Sequence, residues 1–324
     1  MKAIVFEAPR RLRLVDDAPV PAPEDRQVLV RCTHVGLCGS SMGAYTAEGC
    51  WAAARRPSAP GWMGHENVGV IVDSRHPDWR AGTRVLAQPK YWDGFAEYFV
   101  AAAEETVRLP EDAPDPGAYV VAQPLATVLH ALSRTGPVIG QRCAVVGQGP
   151  IGLIFTEILS RMGAEQVIAI DLVGWRLEWA RRLGATDVVD ASTGDAIQDV
   201  RDLTSGAMVD LSVEAGNTAE ALVLAARLPR RKGRLVPFGV QHEEMTLFPW
   251  AFSNGNCTEI LCSNGHGGLL RSAVGWIARG RTDLACIVTP RLPWCRAEEA
   301  FEMYTNPAAH PGSLKVTLEF DEPE

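Results

Sequence analysis

Short apolar runs separated by glycine and proline fill the chain up to Gly117, at residues 2–6, 27–32, 68–72, 83–88 and 95–100. Runs of this length bounded by turn residues predict β-strands, so this part reads as an all-β module. Beyond Gly117 the pattern changes. An apolar helical stretch at 125–132 precedes strand–helix alternation: strand 143–146, helix 151–162, strand 166–170 and helix 175–183. Strands at 208–213 and 234–238 then flank a helix at 218–228. Continuously apolar strands alternating with helices predict a parallel sheet covered on both faces. The C-terminal residues return to a short strand, a helix at 297–304 and a strand at 314–320. The expected fold class is therefore α/β: a doubly wound domain, 119–285, inserted into a β-rich domain formed by 1–118 and 286–324.

One turn in the α/β part carries chemistry. Strand 143–146 runs into Gly147-Gln148-Gly149-Pro150-Ile151-Gly152, which opens the next helix, and Asp171 closes the following strand. Gly147 permits the tight turn, Gly149 lets backbone approach a pyrophosphate, and Gly152 lets helix and strand pack closely. The helix N-terminus beginning at Pro150 and Ile151 faces phosphate charge. Asp171 would accept hydrogen bonds from a ribose diol and repel a 2′-phosphate, which favours NAD over NADP. The strand before and the helix after make a ligand-free glycine turn the weaker reading.

Length and composition narrow the partners. The chain has 324 residues, enough for two domains at roughly 150 residues each. Lys+Arg number 31 against 39 Asp+Glu, a net charge of -8, which argues against nucleic acid or an anionic membrane. The basic cluster Arg230, Arg231, Lys232 is expected to be a solvated loop. No apolar run reaches the roughly 20 residues that span a bilayer, and Glu7 interrupts any signal-peptide core. The expected compartment is the cytoplasm. Eight cysteines without a CxxC pair fit neither a disulfide scaffold nor a four-cysteine zinc cage.

Residues 36–41 read Gly-Leu-Cys-Gly-Ser-Ser, and 64–70 read Gly-His-Glu-Asn-Val-Gly-Val. Taken singly, Cys38 is a buried hydrophobe and His65 a polar turn residue. Together with Glu66 they sit at predicted strand ends, where catalytic groups collect. The combination makes a metal site a stronger reading than either motif alone.

These motifs resemble, in family order and over nearly the whole chain, the zinc-containing medium-chain alcohol dehydrogenases, and the polyol and sugar dehydrogenase branch in particular. The matching segments are MKAIVFE, VGLCGSS, GHENVGVIV, WDGFAEYF, QPLATVLHAL, VVGQGPIGL, AIDLVGWRLEWARRLGA and LKVTL. The resemblance implies a Rossmann domain with a GroES-like β-barrel domain. It places Cys38 and His65 on two catalytic zinc ligands, Glu66 on a carboxylate that can bind the metal, and Gln123 on a further ligand position. Gln is a weaker, neutral oxygen ligand than the usual Cys or Glu, although some archaeal glucose dehydrogenases pair the same set with Gln. Ser41 replaces the Asp that usually orients the ligand His, and such partners tune metal affinity about 10–100-fold. Ser40 matches the residue that takes the alcohol proton, Gly43 replaces a relay His, and Arg176 joins the cofactor-binding set. The structural-zinc lobe is missing, since Val85–Pro89 leads almost directly into WDGFAEYF.

The implied activity is reversible hydride transfer between NAD and a secondary alcohol, with one catalytic zinc as Lewis acid. A polyol, sugar or cyclitol is the implied substrate class. The segment 42–62, with Tyr45, Trp51 and Trp62, and the pair Tyr91-Trp92 are expected to shape the pocket, although each aromatic is also a candidate for core packing. A strand near 258–262 could pair subunits edge to edge in a homodimer or homotetramer. Two other readings stay open: a metal-free NAD(P)H-dependent enone or quinone reductase, and a non-catalytic dinucleotide-binding protein.

Overall fold

The computed structural model describes residues 1–48, 56–240 and 257–320. The chain divides into two compact units, one formed by 1–123 with 268–324 and the other by 124–267.

In the first unit, β1 (Ala3–Ala8) and β2 (Arg11–Val15) form an antiparallel ribbon. The next four strands, β3 (Gln27–Gly36), β4 (Asn67–Ser74), β5 (Arg84–Pro89) and β6 (Tyr98–Arg108), pair antiparallel in that order. β6 also pairs with β3, which closes these four strands into a barrel. Helix α1 (Gly39–Thr46) leaves the end of β3. Its Gly- and Ser-rich sequence is a poor helix former, and burial of Met42, Ala44 and Tyr45 overrides that preference. A 3-10 turn, Pro116–Val121, packs on β3 and β4 before α2 (Ala122–Ser133) begins.

The second unit is one parallel sheet. Its strands are β7 (Arg142–Val146), β8 (Gln166–Asp171), β9 (Asp187–Asp190), β10 (Val209–Glu214), β11 (Pro229–Pro237) and β12 (Cys257–Ile260). Their order is β12-β11-β10-β7-β8-β9, every pair parallel, the doubly wound pattern expected from the alternation. Helices α3 (Pro150–Arg161), α4 (Gly174–Arg182), α5 (Ala196–Leu203) and α6 (Ala219–Arg227) connect the strands. Asp195 caps α5 by accepting from the Ile197 and Gln198 amides, and Thr218 caps α6. The chain reverses its direction of travel across the sheet between β9 and β10, so β7 and β10 flank the topological switch point.

The C-terminal part rejoins the first unit with α7 (Leu270–Ala278), β13 (Arg291–Pro293), α8 (Ala297–Thr305) and β14 (Thr317–Glu319). β14 pairs antiparallel with β3. The expected strand at 314–320 is thus confined to three residues. The Arg230–Lys232 cluster is exposed, as expected of a solvated turn: it lies within the bounds of β11, but Pro229 pairs with Val209 and Arg234 with Leu211, so these residues loop out of the ladder, and Arg230 pairs with Asp210. Lys232 takes the left-handed conformation there, at φ 64°, and the shift of register against β10 between Pro229 and Arg234 fits a bulge on β11.

The barrel core closes around an aromatic cluster. The fully buried Phe301 ring on α8 lies 5.5 Å from Phe6, 5.0 Å from Tyr45 and 5.5 Å from Phe95. Phe301→Ala should lower the unfolding free energy by about 3–5 kcal/mol, read from chemical denaturation of the purified protein.

Candidate active site

Three elements converge at the end of the barrel. β3 ends at Gly36, and Cys38 caps α1 in an extended conformation. His65 and Glu66 lead into β4. The donor atoms of Cys38, His65 and Glu66 lie within 4.8 Å of one another. Atoms bound to one tetrahedral zinc are about 3.3–3.8 Å apart, so small side-chain rotations would close the set around an ion.

The supporting contacts fit that role. The His65 ring nitrogen Nδ1 lies 3.2 Å from the Met63 carbonyl. A carbonyl only accepts, so Nδ1 carries the proton and Nε2 keeps its lone pair for a metal. Ser41, fully buried, does not stand in directly for the Asp that usually orients such a histidine. Its hydroxyl donates to the same Met63 carbonyl at 3.2 Å. The carbonyl is therefore the orienting group, and Ser41 holds it in place. Burial lowers the affinity of His65 for a proton below the ordinary range, which keeps the imidazole neutral and able to ligate.

Glu66 has a partner that the sequence reading missed. The fully buried Lys315 ammonium, two residues before β14, is ion-paired with Glu66 Oε2 and donates to the Leu37 carbonyl at 2.8 Å. Glu66 Oε1 is buried without a hydrogen-bond partner, as a metal ligand would be. Burial pushes the Glu66 carboxyl up to about 7 against the downward pull of Lys315. Gly36 is explained by the same pair, because a Cβ there would collide with Glu66 Oε2. The available signal was Lys315 itself, a lone charge between apolar residues in LKVTL.

Ser40 is half-buried in the first turn of α1, and Gly43 is buried on the same helix. Gln123 is buried in the first turn of α2, directly after the 3-10 turn that packs on β3 and β4. The Trp92 ring lies 5.1 Å from the His65 ring and is 38% exposed, so it borders the donor set on the solvent side. Tyr45 belongs to the core: its hydroxyl donates to Glu302 at 2.7 Å within the aromatic cluster. Trp62 packs against Phe6. Trp51 lies outside the described residues.

In the second unit the glycine turn has the geometry a dinucleotide needs. Gly147 has φ 90°, and a Cβ there would strike Gly216 Cα at 2.7 Å. A Cβ on Gly152 would collide with the Gly147 carbonyl. Gly149, by contrast, opens on free space, with Arg176 Nη1 the nearest group at 4.0 Å from a built Cβ. Pro150 occupies the first turn of α3, where its missing N–H leaves nothing unpaired, and Ile151 follows it. Arg176 Nε, on the side chain nearest to Gly149, is buried without a hydrogen-bond partner. Asp171 accepts from the Gln148 amide at 2.5 Å and the Val173 amide at 2.8 Å, one on each oxygen. Each oxygen keeps a lone pair for a further donor, so the residue can tie down the turn and still receive a ribose hydroxyl.

Both units have counterparts among known proteins. The alcohol dehydrogenase GroES-like domain model matches residues 24–111, and the zinc-binding dehydrogenase model matches 150–267. The chain is 30% identical to L-threonine 3-dehydrogenase of Anaeromyxobacter sp. (strain Fw109-5) over 250 residues, covering 68% of this chain and 72% of that protein. It is 26% identical to sorbitol dehydrogenase of Bacillus subtilis (strain 168) over 332 residues, 93% of each chain. Alcohol dehydrogenase TADH from Thermus sp. ATN1 superposes with a TM-score of 0.84 at 26% identity, covering 99% of this chain and 100% of that one.

Lys315→Met strands the Glu66 carboxylate in the barrel interior. Removing one partner of a buried pair destabilises by about 3–5 kcal/mol while the other stays charged. Without Lys315 the folded Glu66 binds its proton more tightly than the unfolded chain does, so the loss should grow with pH. Denaturation of chelator-treated protein should show a larger loss at about pH 8 than at about pH 6.

Proposed function

The chain belongs to the zinc-type medium-chain alcohol and polyol dehydrogenase family, and we propose that it oxidises a secondary alcohol to a ketone reversibly with NAD. The observation that carries this reading is the Cys38–His65–Glu66 donor set, with its free imidazole nitrogen and its unpaired buried carboxylate oxygen. One catalytic zinc, with no structural zinc, fits a chain that lacks CxxC pairs. When bound, the zinc supplies Lewis acidity that acidifies a hydroxyl near neutral pH, and NAD supplies the hydride acceptor.

The chain's own residues then have distinct roles. Cys38 and His65 hold the metal through sulfur and Nε2. Glu66 offers Oε1, and Gln123 offers a neutral oxygen. Lys315 offsets the Glu66 charge, so the donor set keeps roughly the charge of a single thiolate. The Ser40 hydroxyl would accept the substrate's O–H proton while releasing its own toward solvent, so that it relays the proton rather than retaining it. Trp92 covers the solvent side of His65 and restricts water. Gly147, Gly149, Gly152 and the N-terminus of α3 at Pro150 and Ile151 cradle the pyrophosphate. Asp171 receives the adenosine ribose hydroxyls and Arg176 faces the phosphates.

A polyol, sugar or cyclitol is the substrate class we favour. A carboxylate and an amide beside the metal suit a neutral, hydroxyl-rich ligand, and the B. subtilis relative is named for sorbitol. Among the described residues no helix is long and apolar enough to cross a membrane. We place the enzyme in the cytoplasm, where free thiols such as Cys32 and Cys38 stay reduced, as a homodimer or homotetramer paired through the β12 edge.

Elemental analysis together with NADH absorbance on a panel of polyols, sugars and cyclitols tests the reading. Stoichiometric zinc and NAD-dependent oxidation are expected, and Cys38→Ala should abolish both. A metal-free protein that reduces an enone would overturn it. Asp171→Ala should raise the KM for NAD far more than it lowers kcat, because a ribose contact is made equally in ground and transition states.

A further inference from the structure

Of the buried carboxylates among the described residues, Glu66 faces Lys315 and Glu157 pairs with Arg161. The other two, Asp171 and Glu214, are held by backbone amides of loops at the C-terminal edge of the parallel sheet. They flank the Gly147 turn from opposite sides. Asp171 ends β8 and binds the Gln148 and Val173 amides. Glu214 ends β10 with no exposed surface. Its Oε1 accepts from the Gly216 amide at 2.7 Å and the Asn217 amide at 2.8 Å, and its Oε2 accepts from the Gly239 amide at 3.0 Å.

These bonds tie two loops into one rigid edge. Asn217, in the left-handed conformation at φ 59°, adds a second link, its side-chain oxygen accepting from the Val240 amide at 2.9 Å. The Glu214 carbonyl also accepts from the Phe238 amide at 2.9 Å. The edge abuts the glycine turn directly: the Ala215 amide donates to the Val146 carbonyl at 2.8 Å, and a Cβ on Gly147 would meet Gly216. In open parallel sheets the ligand crevice lies outside the strand ends at the switch point, here flanked by β7 and β10. The 215–217 loop is therefore the wall of that crevice opposite Asp171.

We propose that Glu214 is a positioning residue for the dinucleotide: its carboxylate fixes the 215–217 and 238–240 loops at the spacing that the bound cofactor requires. A charged acceptor suits this task, because hydrogen bonds to a carboxylate are roughly twice as strong as neutral ones. A glutamine in its place has one acceptor oxygen and presents an NH2 group to a backbone N–H, so at least one loop is released.

The inference rests on the dinucleotide reading above, and direct binding separates the two. NADH fluorescence titration of the zinc-loaded parent, Glu214→Gln and Gly239→Ala measures Kd without turnover. A Cβ at residue 239 would lie 2.6 Å from Glu214 Oε1 and 2.7 Å from Oε2, so Gly239→Ala disturbs the clamp while keeping the charge. Zinc content and Tm are measured in parallel. The expected result is a Kd raised about tenfold or more, and a raised KM for NAD with the alcohol KM and zinc content unchanged. If Glu214→Gln does not fold, Gly239→Ala decides. A folded variant that loses Tm but keeps Kd within about twofold of the parent reduces Glu214 to a structural residue and overturns the proposal. A parent that binds no NADH overturns the proposed function, and the inference with it.

Discussion

The Glu66–Lys315 ion pair joins three segments that the chain order keeps far apart: the end of β3, the entry to β4 and the approach to β14. Both side chains are fully buried, and Lys315 also donates to the carbonyl of Leu37, 278 residues away in sequence. Two opposite charges in a barrel interior are tolerated only when each is neutralised and hydrogen-bonded. The C-terminal strand therefore cannot be released without exposing or stranding a charge. Gly36 leaves the space the pair occupies, and Cys38 follows two residues later. The donor set is thus assembled by the same interaction that returns the C-terminus to the N-terminal barrel.

The tautomer of the histidine depends on a second buried arrangement. The Met63 carbonyl fixes the His65 tautomer, and Ser41 fixes the carbonyl. A charged orienting residue would make the imidazole more basic. A backbone carbonyl orients it with only partial charge. The site accordingly sets the Cys38 sulfur and a neutral imidazole beside a carboxylate already offset by an ammonium.

Much of this was legible in the chain and some was not. Cys38, His65 and Glu66 stood out because their spacing around short strands is a local pattern, and the glycine turn because a strand, three glycines and Asp171 occur in order. α1 was not anticipated, since Gly39, Ser40, Ser41 and Gly43 disfavour helix and only burial of Tyr45 and its neighbours imposes it. Tyr45 was a candidate pocket residue and proved to be core, because its hydroxyl finds Glu302 on α8. Arg230–Lys232 suggested a loop, and they do loop out of the β10 ladder, although both of their flanks belong to β11. Glu214 carried no signal at all, since an acidic residue at a strand end is ordinary until its amide partners are known.

The sequence by itself determined the alternation that makes one unit a closed barrel and the other a parallel sheet, because side-chain periodicity and turn residues act over a few positions. It also determined the chemistry available, a thiol, an imidazole, a carboxylate and a glycine cradle. Only the tertiary structure decided which charges neutralise one another, as in Glu66 with Lys315, and which carboxylates bind loops rather than cations, as in Asp171 and Glu214. Those choices depend on contacts between residues remote in sequence, and desolvation makes them decisive: inside the protein a charge needs a partner, and folding alone determines which partner is within reach.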